Sequence, residues 1–146
     1  MADLNNLPDI SLDSIDDLPG FEIPPQGRYL CLLTISPKEI NGKGNLEFEY
    51  TVQETIELAS PTDTEPKQGA TFTELFSYDK GLPMAKDKLK KLCEGLGIPT
   101  SSSLADIVES VQGVGVEVTL KHRKNPKGPD PERVYANVPA ATFKVV

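Results

Sequence analysis

Residues 46–58 read LEFEYTVQETIEL, and through Gln53 the stretch alternates: Leu46, Phe48, Tyr50 and Val52 take one parity, Glu47, Glu49, Thr51 and Gln53 the other. A period of two is that of a strand with one face in a core and one in water. Whatever the rest of the chain does, it must cover that apolar face.

The neighbouring segments supply the cover. From Arg28, RYLCLLTIS is rich in strand formers and apolar on both faces, as in a central or strongly bent strand, and NGKGN then provides turn chemistry, so the two runs read as a hairpin. Beyond the polar loop ASPTDTEPKQGA, TFTELFSY is a third strand with Phe72, Phe76 and Tyr78 on one parity.

At Pro83 the period changes. In PMAKDKLKKLCEGLG, Ala85, Leu89, Leu92, Cys93 and Leu96 share one helical face, with Pro83 suited to the first turn and Gly95 or Gly97 to the exit. A shorter helix is expected in SSSLADIVESVQG, where Ser103 and Asp106 fit a capping pair and Leu104, Ile107, Val108 and Val111 form a stripe. Strand patterns return in VGVEVTLKHRK and RVYANVPAATFKVV.

Three strands, a helical insertion and two strands would leave edges and an apolar face exposed if the sheet stayed flat. Closure removes both problems, so the order predicts a mainly β fold: a five-stranded oligonucleotide-binding (OB) barrel with the helical insertion over one end. Small rolls and α+β folds share this linear order. The expected organisation is an acidic segment over 1–24 and one domain over 25–146.

Charge is concentrated at the start of the chain. Residues 1–25 carry Asp3, Asp9, Asp13, Asp16, Asp17 and Glu22 without a cation, contributing −6 of the formal −7 and leaving the remainder nearly neutral. This composition predicts a segment that is disordered in isolation. Its apolar residues Ile10, Leu12, Ile15, Leu18, Phe21 and Ile23 suit docking, on the body or on a partner.

No metal, nucleophile or nucleotide motif emerges. Cys31 and Cys93 lack metal-ligand spacing and fall on apolar faces, and His122 is the sole histidine. Glu47, Glu49, Glu54 and Glu57 superficially suggest a two-metal nuclease but have the spacing of a wet strand face. GKGN lacks the GK-Ser/Thr ending of a phosphate-binding loop. No cofactor, metal site or catalytic residue is expected. No apolar run nears the roughly 18 residues of a membrane span, and MADLNNLPDI has no secretion pattern.

PQGRY at 25–29, MAKDKLKKLCEGLG at 84–97 and VEVTLKHRKNPKGPDPERVYANV at the final hairpin resemble small bacteriophage replication and recombination proteins that bind single-stranded DNA. The resemblance implies an OB barrel that binds single strands without sequence preference, in the cytoplasm of an infected bacterial host. It also implies contact with replication or recombination proteins through 1–24, and a homodimer is an open arrangement. An acidic recruiting tail usually follows the barrel in such proteins, whereas here the acidic segment leads.

Binding of that kind needs cations for the backbone and rings for the bases. The candidate cations are Arg28, Lys38, Lys43, Lys80, Lys121, Arg123, Lys124, Lys127 and Arg133. Tyr50, Tyr78 and Tyr135 are the candidate stacking rings, and Tyr29, Phe48 and Phe76 are further aromatic candidates. Parity gives Phe48 and Tyr50 a competing role as core filling. Lys86, Lys88, Lys90 and Lys91 read either as phosphate contacts or as a solvated helix face. The competing function is a noncatalytic protein-binding adaptor or inhibitor that uses the acidic segment.

Overall fold

The structure is a computed structural model, and it describes residues 23–124, 126, 127 and 131–146. The long strands β1 (Gly27–Ile40) and β2 (Lys43–Leu58) form an antiparallel hairpin. Ile40 pairs with Lys43, leaving Asn41 and Gly42 as a two-residue turn with φ of 51° and 78°. Asn-Gly is the pair that tolerates two positive φ values, and such a turn matches the twist of the strands it joins. Register shifts after Arg28 and Leu30 add twist to the other end of the hairpin.

Strand β3 (Thr71–Ser77) pairs with β2, and β4 (Gln112–Lys124) with the outer edge of β1. Helices α1 (Leu82–Leu96) and α2 (Leu104–Ser110) lie between β3 and β4 in the chain. The far half of β4 pairs with β5 (Val134–Asn137), and its near half with β6 (Lys144–Val145) after a 3-10 turn at Ala140–Thr142.

The alternation of β2 sets the core. Leu46, Phe48, Tyr50 and Val52 are buried against Tyr29, Cys31, Leu33 and Ile35 of β1 and Val116, Val118 and Leu120 of β4. Burial of large apolar side chains of this kind contributes roughly 1.5–3 kcal/mol each. Two aromatic pairs fix the β2–β3 side: Tyr50 stacks on Phe72 with centroids 4.9 Å apart, and Phe48 meets Phe76 edge-on at 5.0 Å.

The expected five-stranded OB barrel is not present. The hydrogen-bonded path is six-stranded and runs β3-β2-β1-β4-β5 with β6 on β4, and among the described residues no ladder joins β3 to β5. The molecule is therefore a mixed α/β sheet fold with an open sheet. Strand β5 ends before it can run along β3: the Val138 N–H donates to Glu74 Oε2 at 3.0 Å, and Pro139, the next residue, has no N–H to offer. Side chains occupy the seam where a barrel would have backbone pairing.

The functional expectation built on that barrel falls with it. Single-stranded DNA binding in phage replication or recombination required a closed barrel to present one continuous nucleic-acid surface, and that geometry is missing. The expectation for residues 1–24 lies, apart from Ile23 and Pro24, outside the described residues.

Candidate functional site

The residues singled out from the sequence separate into two groups. Arg28, the second residue of β1, bonds Glu117 at 3.0 Å, with Glu57 3.9 Å away. Lys38 lies ten positions along the same strand, roughly 30 Å at strand rise, and pairs with Glu47 at 2.9 Å. Around Lys38 are Lys43, Lys80 and the half-exposed Tyr78, whose ring covers Gly44. At the Arg28 end are Lys121, Arg123 and Lys124 of β4, with Lys127 in the turn beyond; Lys124 reaches Glu132 at 3.4 Å, and Arg133 lies 5.0 Å over the Tyr135 ring.

Tyr50 belongs to neither group. It is fully buried, and its hydroxyl donates to Glu74 Oε1 at 2.8 Å. Tyr29, Phe48 and Phe76 are core residues as well. His122 is held rather than presented: Nε2 lies 2.7 Å from the Pro24 carbonyl, which can only accept, and this assigns the ring proton to Nε2.

Sequence reading missed the most organised polar cluster. Glu74 accepts from Tyr50, from the Val138 N–H and from Lys88 Nζ at 2.9 and 3.1 Å, and the two charged side chains are 7% and 4% exposed. Burial, reinforced by the Glu74 charge and hydrogen bond, raises the Tyr50 phenol well above its ordinary pKa. One signal for this cluster was visible: Glu74 shares the inward parity of Phe72 and Phe76. Lys91 is structural too, donating to the carbonyls of Ala140 and Phe143. Of the four α1 lysines, Lys86 and Lys90 remain exposed to solvent.

Those two lysines border an apolar concavity. Pro83 in the first turn starts α1, and Gly97, left-handed at φ 70°, ends it with its N–H on the Cys93 carbonyl. The chain then turns back, and Ser103 caps α2 by accepting from the Asp106 N–H at 3.2 Å. Between the helices lies a groove of about 470 Å³ walled by Leu82, Pro83, Leu89, Leu104 and Ile107, with the buried Cys93 at its floor. Lys86 and Lys90 stand on its rim, and none of the described residues lining it is a carboxylate.

The groove offers apolar burial and positive charge. Among the described residues no three His, Cys, Asp or Glu side chains group as a metal would require, and no helix is long and apolar enough to cross a membrane. No family model matches the chain, and no curated protein matches it. The likeness to phage single-strand binding proteins rests on the quoted residues alone.

Proposed function

We propose that the chain is a noncatalytic protein-recognition domain that receives an acidic amphipathic segment of a partner protein in the groove between α1 and α2. The observation that carries this reading is the pairing of an apolar groove with two rim ammonium groups and, among the described residues, no lining carboxylate. An amphipathic helix would lay its apolar stripe on Leu89, Leu104 and Ile107 and set its acidic flank against Lys86 and Lys90. Apolar contact supplies most of the affinity, while the lysines select the sign of the partner.

The groove is also built on a firm base. Its floor is Cys93 and Ile107, both in the core, and α1 is fastened to β3 by Lys88 and to the segment between β5 and β6 by Lys91. Such a surface loses little freedom when a partner lands on it, which favours binding.

The test is a titration of the isotope-labelled protein with a helical peptide carrying leucine at i, i+3, i+4 and i+7 and glutamate elsewhere. Amide signals of Lys86, Leu89, Leu104 and Ile107 should move, and the same peptide with lysine for glutamate should bind about tenfold more weakly, or about 1.4 kcal/mol. Leu89→Glu, shown by circular dichroism to be folded, should lose the interaction. Shifts mapping away from the groove, or equal binding of both peptides, would overturn the proposal.

A further inference from the structure

The outward face of the β4–β5 hairpin collects the other large group of cations. Arg123 stands opposite Tyr135, and Lys121 opposite Asn137. Strand parity puts these four residues on one side, together with Arg133, two positions from Tyr135 and over its ring. Lys121 and Arg123 are exposed and pair with no carboxylate among the described residues.

The same face continues toward the start of β1. Arg28 pairs with Thr119, two residues before Lys121, and around them opens a second cleft of about 470 Å³ walled by Leu58, Ala59 and Leu120. Arg28 is already shared by Glu57 and Glu117, so the net positive charge rises from the cleft toward Lys121 and Arg123.

The described chain enters at this place. The Pro24 carbonyl is 2.7 Å from His122 Nε2, the His122 N–H donates to Gln26 Oε1 at 2.9 Å, and the Ala59 N–H donates to the Gln26 carbonyl at 2.9 Å. Ile23–Gln26 is thus fastened beside β4 at the residue between Lys121 and Arg123. Gln26 itself lines the cleft. Immediately before Ile23 come 22 residues with six carboxylates, no lysine or arginine, and Ile10, Leu12, Ile15, Leu18 and Phe21 among them.

We infer that residues 1–22 dock in cis on the outward face of β4 and β5, their carboxylates against Lys121 and Arg123 and their apolar side chains against the cleft and Tyr135. Tethering at Ile23 gives the segment an effective concentration of about millimolar at this face, so individually weak contacts suffice. Attraction between exposed charges makes the docking sensitive to salt. The surface is distinct from the α1–α2 groove, and its occupant belongs to the chain itself.

The experiment uses the full chain with a nitroxide attached through Ser14→Cys. Cys31 and Cys93 are 0% and 1% exposed, so labelling goes to residue 14. At low salt the amide signals of Lys121, Arg123 and Tyr135 should lose at least half their intensity, and high salt or the Lys121→Glu/Arg123→Glu double substitution should restore them. Intensity loss that ignores both salt and charge reversal would overturn the inference. So would loss centred on Leu89 and Ile107, or loss reproduced when the nitroxide and the isotope label are carried by different molecules.

Discussion

Lys88 Nζ of α1 lies 2.9 Å from Glu74 Oε1 of β3, and both side chains are withdrawn from solvent. Because Glu74 also takes the Val138 N–H, one carboxylate ties together a strand, a helix and the segment that leaves β5. Breaking such a pair from either side leaves a buried charge without compensation, so Glu74→Gln and Lys88→Met should each cost about 3–5 kcal/mol. Urea unfolding checks this, and the double substitution Glu74→Gln/Lys88→Met should cost far less than the two singles together. Additive losses would mean that the two groups act independently.

Tyr50→Phe tests the same cluster more gently. It preserves the ring stacked on Phe72 and removes only the hydrogen bond to Glu74. A bond to an ionised acceptor is worth about 1.5–3 kcal/mol, and a loss in that range is expected in urea midpoints. A variant as stable as the parent would show that the hydroxyl contributes no net stability.

Alkaline pH should weaken the fold ahead of any covalent change. Burial pushes the Cys31 thiol from 9.0 up to about 12. The Tyr29 phenol rises from 10.0 to about 12, first through burial and then through the Asp63 charge. The folded state therefore keeps protons that the unfolded chain gives up. Stability from these groups is complete below about pH 9 and is lost as the pH climbs toward about 12. Cys31→Val should flatten the first part of that decline in thermal melts, and an unchanged slope would assign it to other groups.

Two glycines differ in what surrounds them. At Gly81 a Cβ would sit 2.4 Å from the Ser77 nitrogen, which is backbone, whereas at Gly44 it would meet the Tyr78 ring at 2.5 Å. The ring is 45% exposed and can swing away; the backbone cannot. Gly81→Ala should lower stability by at least about 1–3 kcal/mol, and Gly44→Ala by less, as measured by calorimetric melting temperature. The reverse order would contradict the close approach of β3 and α1 at Gly81.

Local chemistry explains which parts of the fold could be read in advance. Leu46, Phe48, Tyr50 and Val52 announce their buried face by spacing, Pro83 and Gly97 bracket α1, and Ser103 caps α2 with its own hydroxyl. The open seam could not be read this way. It depends on Val138 and Glu74, 64 residues apart, and on β5 stopping after Asn137. Among Lys86, Lys88, Lys90 and Lys91 nothing local marks Lys88 as the buried one, since its partner comes from β3. The groove was half legible: Leu89, Cys93, Leu104 and Ile107 were on the expected apolar stripes, but periodicity alone does not show that two such stripes leave a gap between them.

The recognition proposal is tested most directly by reversing the rim. Calorimetric titration of Lys86→Glu/Lys90→Glu with the glutamate-flanked and lysine-flanked peptides should show the preference inverted, with the lysine peptide now about tenfold tighter, while the parent protein prefers the glutamate peptide. A folded double variant that keeps the parent's preference would contradict the assignment of the α1–α2 groove as the binding site.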